Sequence, residues 1–465
     1  MKMWYTIKVM KKIRIFLAVL ACKTSRWLLR LLGGGGTDFP GRVALALCPN
    51  LLGELAKNVT TILVTGTNGK TTTSRMIEQT LADSEISYFA NKSGANLLSG
   101  VTAEFCAFST LGGKCKKSVA LIEADEAAFK AISRFVDAKT IVVTNVFRDQ
   151  LDRYGEVTHT LGNLRIGLEN SPNATVCLNA DDSLCASLAD TAKNVVFYGV
   201  NVPIYASRVA ELSDAPYCLR CKHEYEYEYI TYGHLGKWQC PSCGYARPDP
   251  QAAVTSIAVS NADRSEITVT VDGTPFDLTV NLPGGYNIYN ACASMAAAKA
   301  SGLDLSVAAA ALGHFSCGFG RMEKFRVGKT YARMILIKNP AGCNQVLNFL
   351  TQRRDPFVFA ACLNDRAQDG KDVSWIWDVD FERLAQMGDT LQRVCVSGIR
   401  AADMALRFYY AGIPAEKIEV CDTYDALLDK FAEQTAPIYV MPTYTAMLSL
   451  RKICSKKFGL KAFWE

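Results

Sequence analysis

Histidine is nearly absent from this chain, with four residues in 465. None of the four sits in a recognisable Cys–His arrangement, which excludes a self-contained hydrolase built on a thiolate and its imidazole base. Long apolar runs are missing too. No stretch reaches the ~20 residues that span a bilayer, and the run Ile15–Ala21 before Cys22 is too short for an export signal. Internal repeats of long period and low-complexity tails are absent, so a solenoid is excluded. Acids are lacking at the N-terminus: residues 1–37 hold eight Lys or Arg, and the first carboxylate is Asp38. The net charge of +6 is mild for this length and does not argue for nucleic acid. Seventeen cysteines make an odd number, mostly lone residues in apolar contexts. Such usage suits a reducing cytosol, where a lone thiol behaves as a small hydrophobe, so a cytoplasmic location is expected.

What is present points to an enzyme of two or three domains. Residues 1–50 read as a basic helical arm. Its apolar residues Trp4, Ile7, Ile13, Phe16, Leu17, Leu20, Trp27, Leu28 and Leu31 recur at near-helical spacing among the basic ones. Two readings stay open: an arm packed on its own protein, or a helix in peripheral contact with the anionic inner face of the membrane.

The sharpest signal is GTNGKTTT at Gly66–Thr73, entered from the apolar run Ile62-Leu63-Val64. A strand that turns on glycines and opens a helix cradles polyphosphate, because glycines admit close backbone approach and the first helical N–H groups face the anion. Gly66, Thr67, Asn68, Gly69, Lys70, Thr71 and Thr72 are therefore the candidate ATP-binding residues. Lys70 supplies a point charge to the terminal phosphates and the Thr71 hydroxyl suits Mg²⁺. The generic phosphate loop places four residues between its glycines, whereas Gly66 and Gly69 enclose two.

Around this loop short β-rich runs alternate with helical stretches. Strands are expected at 61–65, 118–122, 140–144, 175–178 and 194–198, with helices at 74–84, 162–170 and 284–300. This pattern predicts an α/β fold with a covered parallel sheet over residues 51–320. A second alternating set, with strands at 333–337, 357–361, 393–397, 418–420 and 438–441, predicts a smaller α/β domain over 321–465. The region 214–248 interrupts the first set. Cys218-Leu-Arg-Cys221 and Cys240-Pro-Ser-Cys243 are knuckles that bring four thiolates together, and the alternating stretch between them reads as the hairpin of a zinc ribbon. Four sulfur ligands close the site, so the expected Zn²⁺ is structural. His223 and His234 read as solvent-facing hairpin residues. The ribbon carries Glu224, Glu226 and Glu228 among tyrosines, so its face is acidic and aromatic, which speaks against nucleic acid.

Other motifs lie at expected strand ends or helix starts, where ligands sit in open α/β sheets. They are IEADE (122–126), TNVFRDQLDRYG (144–155), LNADD (178–182), PGGYNIYN (283–290) and FGRME (319–323). Glu123 at its strand end is a candidate Mg²⁺ ligand with Thr71. In this order, with GTNGKTT, the motifs resemble the Mur ligase family from about residue 40 to the C-terminus. That family has the shortened phosphate loop as its rule. The resemblance implies a Mur-ligase-like central P-loop ATPase domain and a smaller C-terminal α/β domain. It also implies ATP and Mg²⁺, activation of a carboxylate as an acyl-phosphate, and roles for Asn287 and Arg321 in ATP binding.

The ribbon, Gln150 within RDQLDRYG, and NDRAQDGKDVSWIWDVDFE (364–382) look like the amidating branch of the family. IKNPAGCN (337–344) and MPTYTAML (441–448) fit it as well. Members of this branch convert the D-glutamate α-carboxyl of the lipid II stem peptide to D-isoglutamine, using ammonia from a GatD-like glutaminase subunit. They place the carboxylate that orients the glutaminase histidine at the second Asp of DGxD, here Asp372; read without the family, Asp372 is a helix cap. Asp365, Asp369 and Asp378 crowd the same segment. Gln150 stands where stand-alone relatives have a His, and Lys338-Asn339-Pro340 replaces a more acidic pattern, which suits ammonia as nucleophile. The alternatives are a stand-alone Mur or folylpolyglutamate-type amino-acid ligase, and a zinc-ribbon P-loop ATPase acting on nucleic acid.

Overall fold

A computed structural model of the chain describes residues 2–31, 38–91, 95–148, 157–205, 213–260, 264–315 and 321–458. Side chains at 2–8 and 321–322 are outside that description. Gln150 therefore falls outside the described residues, and Arg321 is placed only by its backbone.

The chain opens with three helices, α1 (Lys2–Leu31), α2 (Asp38–Leu47) and α3 (Leu51–Ala56). A nine-stranded sheet follows. Its strands are β1 (Thr60–Thr65), β2 (Tyr88–Ala90), β3 (Val119–Glu123), β4 (Ala138–Val143), β5 (Thr175–Asn179), β6 (Asn194–Val200), β9 (Ala252–Ser260), β10 (Ser265–Val271) and β11 (Thr274–Val280). Their spatial order is β11-β10-β9-β6-β5-β4-β1-β3-β2. From β2 to β9 all pairings are parallel, and β9-β10-β11 is an antiparallel meander. The central strands are near-continuous apolar runs because both faces are covered. Ile62, Leu63 and Val64 of β1 are all at most 1% exposed. Strand β10 reads SEITVTV and buries every second residue, as a strand with one covered face does.

One face of the sheet packs against α1–α3 and neighbouring helices. The other packs against α4 (Lys70–Asp83) and the Ala-rich helix Gly285–Ser301. The small residues of that helix let it lie close to the sheet, and almost all of them are buried. Between β6 and β9 the chain makes a separate antiparallel hairpin, β7 (Glu226–Tyr232) with β8 (Leu235–Gln239).

The second sheet comprises β12 (Arg321–Val327), β13 (Thr330–Ile335), β14 (Phe357–Cys362), β15 (Leu391–Ser397), β16 (Ile418–Val420) and β17 (Ile438–Pro442), in the order β12-β13-β17-β14-β15-β16. Only β12 is antiparallel to its neighbour. The two faces carry separate apolar cores. The expected strands all form, most within two residues of their anticipated ends. The strand expected at 333–337 runs instead from Thr330 to Ile335. The meander β9–β11 and the short β2 and β12 extend the sheets beyond the strands named from sequence.

Candidate active site

Strand β1 lies between β3 and β4, so its C-terminal end opens into the crevice where open parallel sheets bind ligands. There the chain turns with positive φ at Gly66 (113°) and Gly69 (85°). A Cβ at Gly66 would overlap Thr144, and one at Gly69 would overlap the side-chain oxygen of Asn290. The loop is held from outside as well. Thr67 N–H donates to Asn145 O (2.8 Å), Asn68 N–H donates to Asn145 Oδ1 (2.9 Å), and Asn145 Nδ2 donates to Asn68 O (3.0 Å). Phe147 N–H donates to Thr67 Oγ1 (3.1 Å).

Lys70 opens α4 and is 8% exposed. Its ammonium donates to Gly66 O and Thr67 O, and pairs with Glu126 at 3.1 Å. Thr71 Oγ1 donates to Glu123 Oε1 at 2.9 Å, which brings together the two oxygens expected to hold Mg²⁺. Glu123 is fixed in turn, its N–H donating to Asn91 Oδ1 (2.8 Å). Asn287 is buried; its Nδ2 donates to Pro283 O (2.7 Å) and its Oδ1 accepts from Asn290 Nδ2 (3.1 Å). Asn290 Oδ1 then accepts from Thr73 Oγ1 (3.3 Å), so Asn287 reaches the loop through Asn290. At the turn, Asn68 Nδ2 is buried and has no hydrogen-bond partner among the described residues. An orphaned donor beside positive-φ glycines and a lysine suits an anionic group. These residues fit ATP with Mg²⁺.

The second domain closes on this loop. Asn339 caps the helix Pro340–Leu350 through Gly342 N–H (2.8 Å), and its Nδ2 donates to Asn68 Oδ1 (3.1 Å). Arg148, just past the Asn145–Phe147 segment, bridges Asp214 (3.3 Å) and Asp378 (3.1 Å). Arg148, Asp214, Gly233, Pro340, Asn344 and Asp378 line a narrow cleft between the domains.

The four cysteines of the ribbon converge, their Sγ atoms all within 4.8 Å of one another. Burial works against a Cys218 thiolate, but the backbone amides of Cys221 and Arg220 outweigh it and bring that thiol down to about 6. Four clustered sulfurs with an accessible thiolate form suit Zn²⁺. The hairpin tip enters the ATPase domain. Tyr232 stacks on Phe147 with ring centroids 5.7 Å apart, and His234 lies 4.5 Å from the same ring.

The expectation that His234 faces solvent is therefore wrong. It is fully buried, with Nε2 3.2 Å from Asp182 Oδ1. Asp182 also accepts Val146 N–H (2.7 Å) and the N–H groups of Leu184 and Cys185. Burial pushes its carboxyl upward, yet the contact with His234 and these donors hold it below the usual carboxylate range. The tip has its second face covered by the domain it interrupts. His223 is exposed, as expected. Replacing His234 with alanine leaves Asp182 buried without its main partner, and we expect a loss of about 2–3 kcal/mol, measured as a shift in urea midpoint.

The comparisons with known proteins bear on the whole chain. Residues 64–217 match the family model of the Mur ligase middle domain, and residues 336–447 match that of the MurT ligase C-terminal domain. The chain is 33% identical over 444 residues to the lipid II isoglutaminyl synthase (glutamine-hydrolyzing) subunit MurT of Streptococcus pneumoniae, covering 95% of this chain and 97% of that one. The chain belongs to the MurT family. The subunit of the same name from Staphylococcus aureus is 32% identical, with 96% and 98% covered. Among solved structures, MurF from Acinetobacter baumannii superposes with a TM-score of 0.66 at 15% identity, covering 90% of this chain and 81% of that one. The fold is that of the Mur ligases.

Within this MurT-family chain the four aspartates around DGKD separate by their partners. Asp365 pairs with Arg400 (3.2 Å), Asp378 with Arg148, and buried Asp369 accepts Thr445 N–H (2.7 Å). Asp372 is partly exposed, and among the described residues its hydrogen bonds go only to Ser374, whose N–H lies at 2.8 Å. Ser374 holds the Asp372 carboxyl below the usual range. This is a local turn leading into the short 3₁₀ helix Ser374–Asp378, whose N-cap position is Val373 rather than Asp372. Trp375 is half-buried against the core, and Trp377 is half-exposed against Tyr410.

Sequence reasoning missed Glu126, Asn145, Phe147, Asn290 and Asn339 as the residues that hold the loop. Each stands inside a motif already singled out, or one residue beside a residue singled out there. LNADD and PGGYNIYN also bind one another: buried Asp181 accepts from Tyr289 Oη (2.5 Å) and Arg247 Nε (2.7 Å).

Proposed function

We propose that this chain is the ligase subunit that amidates the α-carboxyl of D-glutamate in the lipid II stem peptide, giving D-isoglutamine. It would work in the cytoplasm with a GatD-like glutaminase that supplies ammonia. The observation that carries the reading is the near-full-length relation to two subunits named for that synthase, in a chain whose phosphate loop is intact. In this reading the chain divides at residues 50 and 320 into arm, ATPase domain with ribbon, and C-terminal domain.

When bound, MgATP supplies the phosphoryl group that turns a poor electrophile, the carboxylate, into an acyl-phosphate. The chain's own residues do the rest. Gly66 to Thr72 present backbone N–H groups, Lys70 offsets charge on the phosphates, and Thr71 with Glu123 offers oxygens to the cation. Asn287 and Arg321 belong to the ATP site by family resemblance, Asn287 as a support of the loop. Asn339 ties the C-terminal domain to that loop, so substrate held between the domains lies close to the phosphates. Water must be kept from an acyl-phosphate, and a closed interdomain cleft does this.

Asp372 is the residue we assign to the partner's histidine. The other three aspartates are engaged within this chain, whereas the Asp372 carboxylate stays ionised at the surface. An aspartate accepting an imidazole N–H fixes its tautomer and orientation. We expect Asp372→Asn in the co-expressed complex to reduce glutamine hydrolysis by about 10³-fold or more, while amidation driven by added ammonium salts continues. Assaying glutamate release and ATP consumption with lipid II separates the two activities. Unchanged glutamine hydrolysis would leave Asp372 a turn residue and remove the assignment.

A further inference from the structure

Helix α1 has two apolar faces, and among the described residues one of them is packed on the body while the other stays exposed. Ile15, Ala18, Val19 and Cys22 are 8% exposed or less and belong to the core beneath the sheet. Lys11 pairs with Glu54 (2.8 Å), Arg26 with Glu104 (2.9 Å), and Lys23 donates to Ser109 O (2.5 Å), so three basic side chains fasten the same side to the body. At about 100° per residue, Ile13, Phe16, Leu17, Leu20, Trp27 and Leu31 fall on the opposite side. All six are exposed, from 38% for Leu20 to 66% for Leu31. Lys12, Arg14 and Arg30 are exposed along the flanks of that stripe, and no acid occurs before Asp38.

We propose that this outward stripe of α1 is a docking face for an anionic lipid surface, which holds the ATPase domain against the membrane while α1 remains packed on the protein. The two readings left open by the sequence then hold together, one for each face. The charge pattern chooses the occupant. A stripe of large apolar side chains whose charged neighbours on the helix are all cations suits the boundary between acyl chains and anionic headgroups. Among the described residues no helix is long and apolar enough to cross a membrane, so the contact is peripheral. Its purpose rests on the lipid II reading, because a lipid-linked substrate is met in that plane. The binding itself does not depend on that reading.

The test is flotation of the purified full chain, alone and with its glutaminase, with vesicles of phosphatidylcholine and of phosphatidylcholine doped with phosphatidylglycerol, both free of lipid II. Binding should favour the anionic vesicles and weaken with salt. The triple change Phe16→Gln, Leu20→Gln and Trp27→Gln should weaken it by about tenfold or more. These positions are exposed, so melting temperature and amidation of detergent-dispersed lipid II should stay unchanged. No flotation, or flotation indifferent to lipid charge and to the triple change, overturns the proposal. So does a triple variant that alters only oligomeric state in sedimentation, which would make the face an interface between copies. Amidation in detergent without vesicle binding sinks this inference alone and leaves the ligase reading standing.

Discussion

Lys70→Met abolishes ATP-dependent amidation, with turnover down by about 10³-fold or more, because a preorganised cation beside the transferring phosphoryl is lost. Lys70 is 8% exposed, and Glu126, its ion-pair partner, is 4% exposed. Their screening by water is slight, so the charge acts at close to full strength on anything in the loop. The same burial complicates the single variant. Removing Lys70 strands Glu126 and costs about 3–5 kcal/mol by the usual measure of a broken buried pair. Lys70→Met combined with Glu126→Gln removes both charges and keeps their volumes, so it separates catalysis from folding. We expect the double variant to melt close to the native protein and to remain inactive with glutamine or ammonium as nitrogen source. Turnover retained by a folded double variant would remove the phosphate-loop assignment and the chemistry built on it.

The residues proposed to meet ligand are easier to read in the sequence than the residues that hold them. Lys70, Thr71 and Glu123 carry distinctive chemistry at a fixed distance from a strand end, and the structure brings Thr71 and Glu123 to 2.9 Å. Asn145, Asn290 and Asn339 carry no such signature. An asparagine after a strand or at a helix start is ordinary turn chemistry, and only the tertiary fold shows three of them converging on Asn68, Gly69 and Thr73. The strands of both parallel cores were legible because burial on both faces writes a continuous apolar run. Strands β9–β11 were not named, although β10 alternates cleanly, since the ribbon before them obscures where the domain resumes. His234 was misread for a related reason. A period of two reveals that a strand has two faces and does not reveal what covers the second.

The covered second face ties the ribbon to the glycine loop proposed to hold ATP. Its tip places Tyr232 and His234 on Phe147, and Asp182 grips both His234 and Val146 N–H. The segment Asn145–Phe147 in turn shares five hydrogen bonds with Thr67 and Asn68. Two short links therefore connect the four-cysteine cluster to the phosphate loop. The ribbon cannot hold this geometry by its own apolar core: it buries Cys218, Tyr225, Trp238 and Cys240 against Ala186 of the domain it interrupts, and two of those four are proposed ligands. A core that small needs a staple.

Loss of metal from the ribbon should then weaken nucleotide binding as well as stability. We expect the native protein to carry about one zinc per chain, read by elemental analysis. Cys221→Ser with Cys243→Ser should lose it. Both positions are exposed, so the change leaves no cavity, and its effect reports on coordination. A structural zinc contributes on the order of 10 kcal/mol to the fold it organises, more than β7 and β8 can replace. With the hairpin loosened, Phe147 loses its two ring contacts and Thr67 loses a fixed donor. ATP affinity should fall by about tenfold, the equivalent of about 1.4 kcal/mol, while the C-terminal domain keeps its own cores. Calorimetric titration of ATP on native, variant and metal-stripped protein distinguishes the outcomes, and restoring zinc to the stripped protein should recover the native value. A metal-free native protein, or a variant that binds ATP as tightly as the native chain, would break the link between ribbon and loop.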